Sequence, residues 1–266
     1  MHIVVCIKQT PAATNIPIDA VTGRLKTESL QYAINPFDEY AVEEALRIKE
    51  RLAGATISVL SVGPARAEES IRSAIALGCD EGVLLTDPSF EGSDPTATAY
   101  LLSLGVRKLA ETKGPVHLAL CGKQTNDVGA GQVGSSLGAW LDWPAVAFVK
   151  KIPQMDDSKV VVERTMEDGI DTLEIPLPAV VAVIKEINEP RLSSLKGKMA
   201  AKKAVIVRWG AAELSPDAAW VGASSPTMEI KTTPPPSRSA GMKVAGGSPE
   251  EKAAALIRKF KEMKVI

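Results

Sequence analysis

Histidine and cysteine are scarce in this chain of 266 residues, and their scarcity removes several kinds of chemistry. The two histidines, His2 and His117, each stand at the edge of an apolar run, where we expect structural roles. The three cysteines, Cys6, Cys79 and Cys121, include no C-x-x-C pair, so neither a disulfide framework nor a zinc or iron–sulfur site is indicated. Triads of the Ser-His-Asp or Cys-His kind lack their histidine, so we expect no catalytic residue and no metal ligand.

Long apolar runs and an excess of charge are also absent. The formal net charge of −1 argues against a general nucleic-acid or membrane-surface binder. No apolar run approaches the length that spans a bilayer, and the N-terminus leads directly into a strand-like run without a signal or transit peptide. We therefore expect a cytoplasmic protein of the bacterial type, with one large domain or one domain and an extension.

The stretch from Val116 to Pro144 carries the strongest pattern in the chain. The apolar run Val116–Cys121 predicts a buried strand of a parallel sheet, and the polar loop Lys123–Asp127 follows it. Apolar residues at helical spacing then predict a helix. Small residues line its beginning and one side: Gly131, Gly134, Ser135 and Gly138. A strand, a polar loop and a helix start of this kind can hold a phosphate on free backbone N–H groups.

The run Gly129–Gly134 matches G-x-G-x-x-G, but we do not interpret it as a dinucleotide fingerprint. Seven residues separate Cys121 from Gly129, and the next strand candidate, Ala145–Lys150, ends without an acidic residue. Two interpretations stay open. The glycines either let a helix pack closely on its sheet or bind a nucleotide phosphate in a non-Rossmann manner, and we favour the second.

Four strand-then-helix units precede Pro144 and predict a doubly wound parallel sheet. The predicted strands are His2–Ile7, Thr56–Val62, Gly82–Leu85 and Val116–Cys121; the predicted helices are Asn35–Leu52, Ala65–Gly78, Asp94–Gly114 and Ala130–Leu141. Asn35 is a candidate helix cap, and Asp19 with Gly23 indicates a turn between two short extended pieces. Ligands of such sheets bind at the carboxyl ends of the strands, here the loops Lys8–Pro11, Val62–Pro64 and Gly122–Gly134.

The pattern changes after Pro144. Asp168-Gly169 predicts a hairpin between Val160–Arg164 and Asp171–Ile175, and a further strand is expected at Pro178–Ile184. A basic, poorly periodic arm follows, then a run at Val205–Trp209, a linker with Pro234–Pro236 and a helix that begins in a capping box at Ser248. We expect a nucleotide-binding α/β domain at 1–187 and a partner-recognition arm with a C-terminal tail at 188–266.

Four side chains in these loops are candidates for ligand contacts. Lys8 and Lys123 either neutralise a phosphate or are solvated loop lysines. Asp127 either accepts from a ribose hydroxyl or caps the helix that follows. Phe37 either stacks on a flat ring or belongs to the core, and its position alone favours the core.

The arm also allows more than one interpretation. Its six basic residues are Lys185, Arg191, Lys196, Lys198, Lys202 and Lys203. They lack the interleaved aromatic residues of a nucleic-acid site. Leu192, Leu195 and Met199 among these charges resemble apolar anchors for a protein partner, and the alternative is a plain solvated loop.

Ordered blocks over nearly the whole chain resemble the β subunit of electron transfer flavoprotein. The blocks are VVCIKQ, AINPFDEYAVEEALRIKE, SVGPA, CGKQTND, LDWP, VVERTMEDGIDTLEIPLPAVVAV and NEPRLSSLKGKMAAKK. The resemblance implies an adenine-nucleotide α-hydrolase-like fold with a β-hairpin extension and an extended C-terminal arm. It implies a heterodimer with an α subunit that holds most of the FAD, and a β subunit that buries AMP without catalysis of its own.

The resemblance also carries site residues over to this chain. The implied AMP contacts are Cys6, Asn35, Pro36, Phe37, Asp38, Val62, Gly122, Lys123, Gln124, Thr125, Asn126, Asp127, Val128, Gly129, Ala130, Gly131, Gln132 and Val133. Phe37 would lie near the flavin edge, and Leu195 in the arm 188–203 would dock acyl-CoA dehydrogenases of fatty acid β-oxidation. Electrons would pass on to a membrane-bound quinone oxidoreductase, or the flow would run in reverse.

One part of the resemblance points to a second branch of the family. The Ala130–Gly134 run is similar to the electron-bifurcating branch, in which NADH delivers electrons and a second FAD replaces AMP. Leu141–Pro144 and Asp168–Leu173 are similar to the AMP form. AMP is the expected ligand, and a second FAD is the alternative.

Overall fold

The computed structural model describes residues 1–13, 16, 18–19, 26, 30–228, 230, 233 and 241–266. Its internal contacts group the chain into two units, residues 1–17 with 25–230, and residues 18–24 with 231–266. Gly23 of the expected turn and the linker prolines 234–236 lie outside the described residues. The functional division expected between residues 187 and 188 stays a prediction.

Among the described residues, the first unit contains eleven strands and six α-helices. The strands are β1 (His2–Cys6), β2 (Gln9–Pro11), β3 (Tyr32–Ile34), β4 (Thr56–Val62), β5 (Glu81–Leu85), β6 (Leu118–Gly122), β7 (Ala145–Met155), β8 (Lys159–Thr165), β9 (Ile170–Pro176), β10 (Ala179–Val183) and β11 (Val207–Trp209). The helices are α1 (Pro36–Arg51), α2 (Glu68–Leu77), α3 (Pro95–Lys113), α4 (Val133–Leu141), α5 (Leu195–Lys203) and α6 (Ala211–Leu214).

A nine-stranded sheet organises this unit, in the order β11-β5-β4-β1-β6-β10-β7-β8-β9. All neighbours from β11 to β7 are parallel, whereas β7, β8 and β9 pair antiparallel. The chain runs outward from β1 through β4 to β5 and then returns to place β6 on the other side of β1. The predicted doubly wound sheet and its hairpin extension are confirmed, and the strand order reverses between β1 and β6.

The central strands are apolar on both faces because helices cover both. Ile3 and Val5 of β1 join the core cluster under α1 and α2, whereas Val4 and Cys6 join the cluster under α3 and α4. Alternate residues of a strand point to opposite faces, so a doubly covered strand is apolar throughout. This is why the first, second and central strands could be predicted from short apolar runs.

The basic arm was expected to be poorly periodic, but it contains the helix α5, and the expected run beyond it at Val205–Trp209 contains the strand β11. Ser194 caps α5 by accepting a hydrogen bond from the Gly197 N–H at 3.0 Å. A Cβ at Gly197 would lie 2.1 Å from the Ala76 carbonyl oxygen, so α5 packs closely on α2. The strand β11 extends the sheet by pairing with β5. Long-range packing, and not local periodicity, forms both elements.

The second unit contains one helix, α7 (Pro249–Glu262), among its described residues. Its predicted capping box is confirmed: Ser248 Oγ accepts from the Glu251 N–H, and Glu251 Oε2 accepts from the Ser248 N–H, each at 3.3 Å. Across the described ranges of both units, no helix has the length and apolar character needed to cross a membrane.

His2 is buried at the start of β1 in a chain of hydrogen bonds. The Ser58 hydroxyl donates to Glu81 Oε1 at 2.7 Å, so His2 Nε2 must donate to Ser58 Oγ at 2.8 Å. Burial lowers the pKa of His2, although the Gly114 carbonyl and Glu81 act against this effect. His2 is therefore neutral in the fold at pH values where the unfolded chain is already protonated.

We expect the free energy of unfolding to fall as the pH drops below about 6.5, by at most about 1.4 kcal/mol per pH unit. The free energy of unfolding stops falling for this reason once the pH is below the lowered pKa of His2 in the folded protein. Urea unfolding of the wild type and of His2→Gln between pH 7.5 and 5 measures it, because glutamine keeps a donor and does not titrate. A constant difference between the two proteins over this range would contradict the prediction.

Candidate functional site

The carboxyl ends of β1 and β6 meet at the reversal of strand order, and one buried carboxylate joins them. Asp38, in the first turn of α1, accepts a hydrogen bond from the Lys8 N–H at 2.7 Å on Oδ2 and from the Gly122 N–H at 3.0 Å on Oδ1. These two residues begin the loops that follow β1 and β6. Asp38 therefore sets the spacing between the two loops that were predicted to form the site.

The ionisation of Asp38 is shifted toward neutral pH. Burial raises the pKa of Asp38 to about 7, although the hydrogen bonds from Lys8, Asn35 and Gly122 act in the opposite direction. A titratable group at neutral pH beside a loop cluster is a common property of functional sites. Near pH 7 this carboxyl is divided between its ionised and neutral forms.

Asn35 is the N-cap residue of α1, as expected, but its side chain holds the loop after β6. Its side chain makes no cap hydrogen bond. Its Nδ2 donates instead to the Gln124 carbonyl at 2.9 Å, and its Oδ1 accepts from the Asn126 N–H at 3.0 Å. The amide is completely buried, and this pairing satisfies both of its ends with backbone groups.

Lys8 and Asp127 form an ion pair of 2.7 Å that joins the same two loops. Burial disfavours the charge on Asp127, but the hydrogen bonds from Lys8 and Thr125 outweigh it and lower the pKa of Asp127. Its other oxygen accepts from the Val128 N–H at 2.9 Å. Asp127 therefore does not cap the next helix, which begins only at Val133. The ribose contact stays a prediction.

The glycines before α4 leave the start of this helix open. Gly129 and Gly131 have φ values of +70° and +64°, which favour glycine, and a Cβ on either would meet no atom closer than 3.5 Å. No side chain caps α4, and the N–H groups of Val133, Gly134 and Ser135 have no acceptor among the residues that the structure describes. Such a helix start attracts an anion.

Two glycines inside α4 have the other role that the sequence allowed. A Cβ on Gly134 would lie 2.9 Å from Cys121 Sγ, and one on Gly138 would lie 2.5 Å from the Ala145 Cβ. Glycine at these positions lets the helix pack closely on the sheet. Close packing inside α4 and an open loop before it are compatible, because different glycines provide them.

Phe37 belongs to neither core cluster, so its assignment to the core on position alone is wrong. Its ring lies 6.0 Å from Lys123 Nζ, which is also 5.4 Å from the ring of Phe148. Phe148 was not among the predicted site residues. The sequence could not predict that Phe148 lies beside Lys123, because Phe148 is an isolated aromatic residue in an apolar strand and the strand register decides its position.

The remaining predicted residues lie near this edge, with one exception. Cys6 ends β1, and burial, followed by the charge of Asp38, raises the pKa of its thiol to about 12, so the thiol is neutral at pH 7. Val62 ends β4, the strand beside β1, and Pro36 precedes Phe37 in α1. Leu195 lies apart, on α5 against α2. The described residues contain no group of three potential metal-ligating side chains.

These contacts define an α/β protein with a cradle of loops, a candidate nucleotide site, at the reversal of its strand order. Asp38, Asn35 and the Lys8–Asp127 pair hold the loops, and the open start of α4 offers donors to a phosphate. The residues fit an adenine nucleotide, since an open helix start, the Lys123 cation and the Phe37 ring lie at this edge. The nucleotide itself stays a proposal.

Comparison with known proteins identifies the family. Residues 22–214 match the model of the electron transfer flavoprotein domain. The chain is 38% identical over 269 residues to the electron transfer flavoprotein subunit beta of Thermoanaerobacterium thermosaccharolyticum, with 100% of both chains covered. It is 37% identical over 268 residues to caffeyl-CoA reductase-Etf complex subunit CarD of Acetobacterium woodii, again with 100% of both covered. It is 36% identical to protein FixA of Bradyrhizobium diazoefficiens, covering 97% of this chain and 90% of the relative.

The chain belongs to the electron transfer flavoprotein family and is a subunit of the β type. Its role is electron transfer in a flavin-containing complex with an α subunit, as a carrier subunit and not as a separate enzyme.

Proposed function

We propose that this chain is the β half of a heterodimer that carries electrons from acyl-CoA dehydrogenases to a membrane-bound quinone oxidoreductase. In this proposal FAD is held mainly by the α subunit, and this chain covers one side of it. FAD supplies the redox chemistry when bound. The chain itself binds a structural AMP, excludes water from the flavin side and presents a docking arm.

The observation that carries the proposal is the cradle between β1 and β6. Its polar side chains are used to hold loops together: Asp38 binds two backbone N–H groups, and Asn35 binds two backbone groups of the next loop. Lys8 is paired with Asp127. These polar groups are already bonded within the chain and hold its loops in place. Such a site can bind a nucleotide firmly without offering it a free general acid or base.

The AMP phosphate would be held by the open start of α4 and by a lysine of the adjoining loops. The N–H groups of Val133, Gly134 and Ser135 are available, and the helix dipole favours an anion at this end. Gly129 and Gly131 place no side chain in the way. We propose the full set of implied contacts, from Cys6 to Val133, as the residues of this site.

The alternative function is an NADH-oxidising, electron-bifurcating subunit that binds a second FAD in place of AMP. The exposed loop 126–132 leaves the cradle open on one side, which a larger nucleotide would require. The relative in Acetobacterium woodii is named as a subunit of a caffeyl-CoA reductase-Etf complex, so one similar protein belongs to a complex with that reductase.

Counting the nucleotides distinguishes the two functions. The chain would be co-expressed with its α subunit, and the purified complex would be denatured and its nucleotides separated by chromatography. One FAD and one AMP per heterodimer support the carrier; two FAD and no AMP support bifurcation, together with flavin reduction by NADH. A complex without any adenine nucleotide beyond the FAD of the α subunit would contradict both.

Two asparagines provide a matched pair of variants for this count. Asn35→Ala removes both contacts to the loop 124–126, so the nucleotide of this chain should be lost. Asn188→Ala removes contacts to the Tyr40 carbonyl and to Glu44 farther along α1, so the nucleotide should stay. Equal loss in both variants would indicate general destabilisation instead of a site at Asn35.

The start of the arm has the properties of a docking surface. Leu192 and Leu195 are 95% and 77% exposed, and Met199 on α5 is also exposed. Lys198 and Lys202 line a cleft beside them, between the arm and α2. Apolar anchors with a basic rim fit a partner that offers an apolar pocket with acidic surroundings.

At a subsaturating concentration of the complex, we expect Leu195→Ala to lower the rate of FAD reduction by an acyl-CoA dehydrogenase about tenfold, because the apolar area that Leu195 buries against the partner is lost. The FAD content should not change, since Leu195 lies away from the cradle. Stopped-flow measurement of flavin reduction provides the rates, with Ile170→Ala on the hairpin as an exposed apolar control. Unchanged rates in Leu195→Ala would contradict the docking role.

A further inference from the structure

Phe148 has a backbone conformation that an aromatic residue rarely adopts. It lies inside β7 with a φ of 61°, in the left-handed region. The pairing of β10 with β7 shifts there, from Val181 opposite Val146 to Val183 opposite Val149. One strand thus has an extra residue, which is a β-bulge. Bulges re-aim side chains near functional sites, and backbone strain of this kind persists only where the surroundings maintain it.

The sheet register places Phe148 at the same edge as the nucleotide cradle. Val183 pairs with Gly122 on one side and with Val149 on the other. Phe148 is therefore level with the carboxyl end of β6, with β10 between them. Lys123 follows Gly122 directly and connects the two positions: its Nζ lies 5.4 Å from the Phe148 ring and 6.0 Å from the Phe37 ring.

Core packing does not explain the ring. Phe148 is 47% exposed. Neither Phe148 nor Phe37 belongs to a hydrophobic core cluster. The chain has only four phenylalanines, and two of them lie beside one loop lysine at the edge of the sheet. A strained, half-exposed ring without a core to fill indicates a contact outside the chain.

We propose that Phe148, together with Lys123 and Phe37, contacts the isoalloxazine ring of a flavin, and that the bulge is kept because it presents the Phe148 ring. The inference rests on the proposed function. Aromatic side chains bind flat heteroaromatic rings by stacking or by edge contacts. A lysine cation favours a ring that gains electrons on reduction, which isoalloxazine does and adenine does not. Phe148 is thus a specificity-determining residue for the flavin.

The first arm of the test uses the isolated full-length chain. Phe148→Gly removes the ring and also the left-handed strain, so the urea midpoint should be unchanged or higher. Asp142→Gly is the matched control, because Asp142 also has a left-handed φ, of 58°, at the end of α4. Its midpoint should likewise not fall. A large fall confined to Phe148→Gly would show that the ring serves packing, and would overturn the proposal.

The second arm uses the complex with the α subunit. Phe148→Gly and Phe148→Leu should each weaken flavin retention about tenfold, as expected for the loss of one stacked aromatic ring. Each single variant should also shift the visible absorption band of the flavin. When either is combined with Lys123→Gln, the reduction potential of the flavin should become more negative. Phe148→Leu keeps an apolar side chain, so it distinguishes the effect of losing the aromatic ring from the effect of losing apolar volume. Asp142→Gly should match the wild type.

The source of the flavin is decided by comparing the two preparations. Titration of the isolated chain with FAD, followed by flavin fluorescence, reports a flavin bound by this chain alone. An effect of Phe148→Gly there supports a second FAD; an effect only in the complex supports the flavin of the α subunit. A wild-type complex without flavin would overturn the proposed function and this inference together. A flavin-containing wild type whose spectrum and retention equal those of Phe148→Gly would overturn this inference alone.

Discussion

Gly122→Ala is expected to remove the proposed nucleotide from this chain and to lower the free energy of unfolding of the chain by about 2–3 kcal/mol. A Cβ at this position would lie 2.6 Å from Asp38 Oδ1, 2.6 Å from the Phe37 carbonyl carbon and 2.7 Å from the Phe37 Cβ. Two of these three atoms belong to the backbone and Cβ of a helix start, so they cannot rotate away. The helix must move, and with it the carboxylate that joins the loops.

The measurement combines nucleotide content of the complex with urea unfolding of the chain. Gly169→Ala is the matched control, because a Cβ there meets no atom within 4 Å. The control should change stability by no more than about 0.5 kcal/mol and keep the nucleotide. Wild-type nucleotide content in Gly122→Ala would show that the spacing of Asp38 and Phe37 is not needed for the site.

Arg191→Ala is expected to lower the free energy of unfolding by about 3 kcal/mol, because it leaves a buried carboxylate with fewer partners. Arg191 Nε donates to Glu43 Oε2 at 2.7 Å, and its Nη1 donates to Glu50 at 2.5 Å. Glu43 is buried in the middle of α1 and keeps Arg47 and the backbone N–H of residue 191, at 3.2 Å, after the substitution. Since Arg191 also fixes the start of the proposed docking arm, electron transfer from the proposed dehydrogenase partner should slow as well.

Arg164→Ala is the control, since its pair with Asp171 lies on the exposed hairpin and should contribute less than about 1 kcal/mol. Burial disfavours the charge on Glu43, but the hydrogen bonds from Arg191 and Arg47 outweigh it and lower its pKa. The stabilisation is therefore present above the ordinary glutamate pKa and is lost as the pH falls below it. The difference between wild type and Arg191→Ala should shrink below about pH 4.5, and a difference constant to pH 3 would contradict this account.

Much of the fold follows from local patterns. The strands β1, β4 and β6 are short apolar runs closed by glycine, proline or lysine, and such runs are strands buried on both faces. Asp94 caps α3 as expected, with its side chain accepting from the Ala97 N–H at 2.8 Å. Parallel strands separated by helices cross over with one hand, so the loops at one sheet edge could be predicted as the candidate site from the sequence.

The roles of individual side chains in that site could not be predicted in the same way. Asn35 satisfies every local criterion for a helix cap, yet it binds a loop 89 and 91 residues away. Lys8 pairs with Asp127 across 119 residues, and both the register of β7 and the docking of α5 on α2 come from strands and helices far apart in the chain.

The sequence by itself determined the order of the elements, the class of the sheet and, through its ordered motifs, the family, and it predicted the edge of the candidate site. Periodicity and turn residues act over a few neighbouring positions, and they are enough to predict the elements and their order. The tertiary structure alone decided that Asn35 and Asp38 are loop holders, that Phe37 is outside the core and that Phe148 lies beside Lys123. Each of these depends on which distant backbone group satisfies a buried polar atom, or on how strands align, and both are settled only when the sheet assembles.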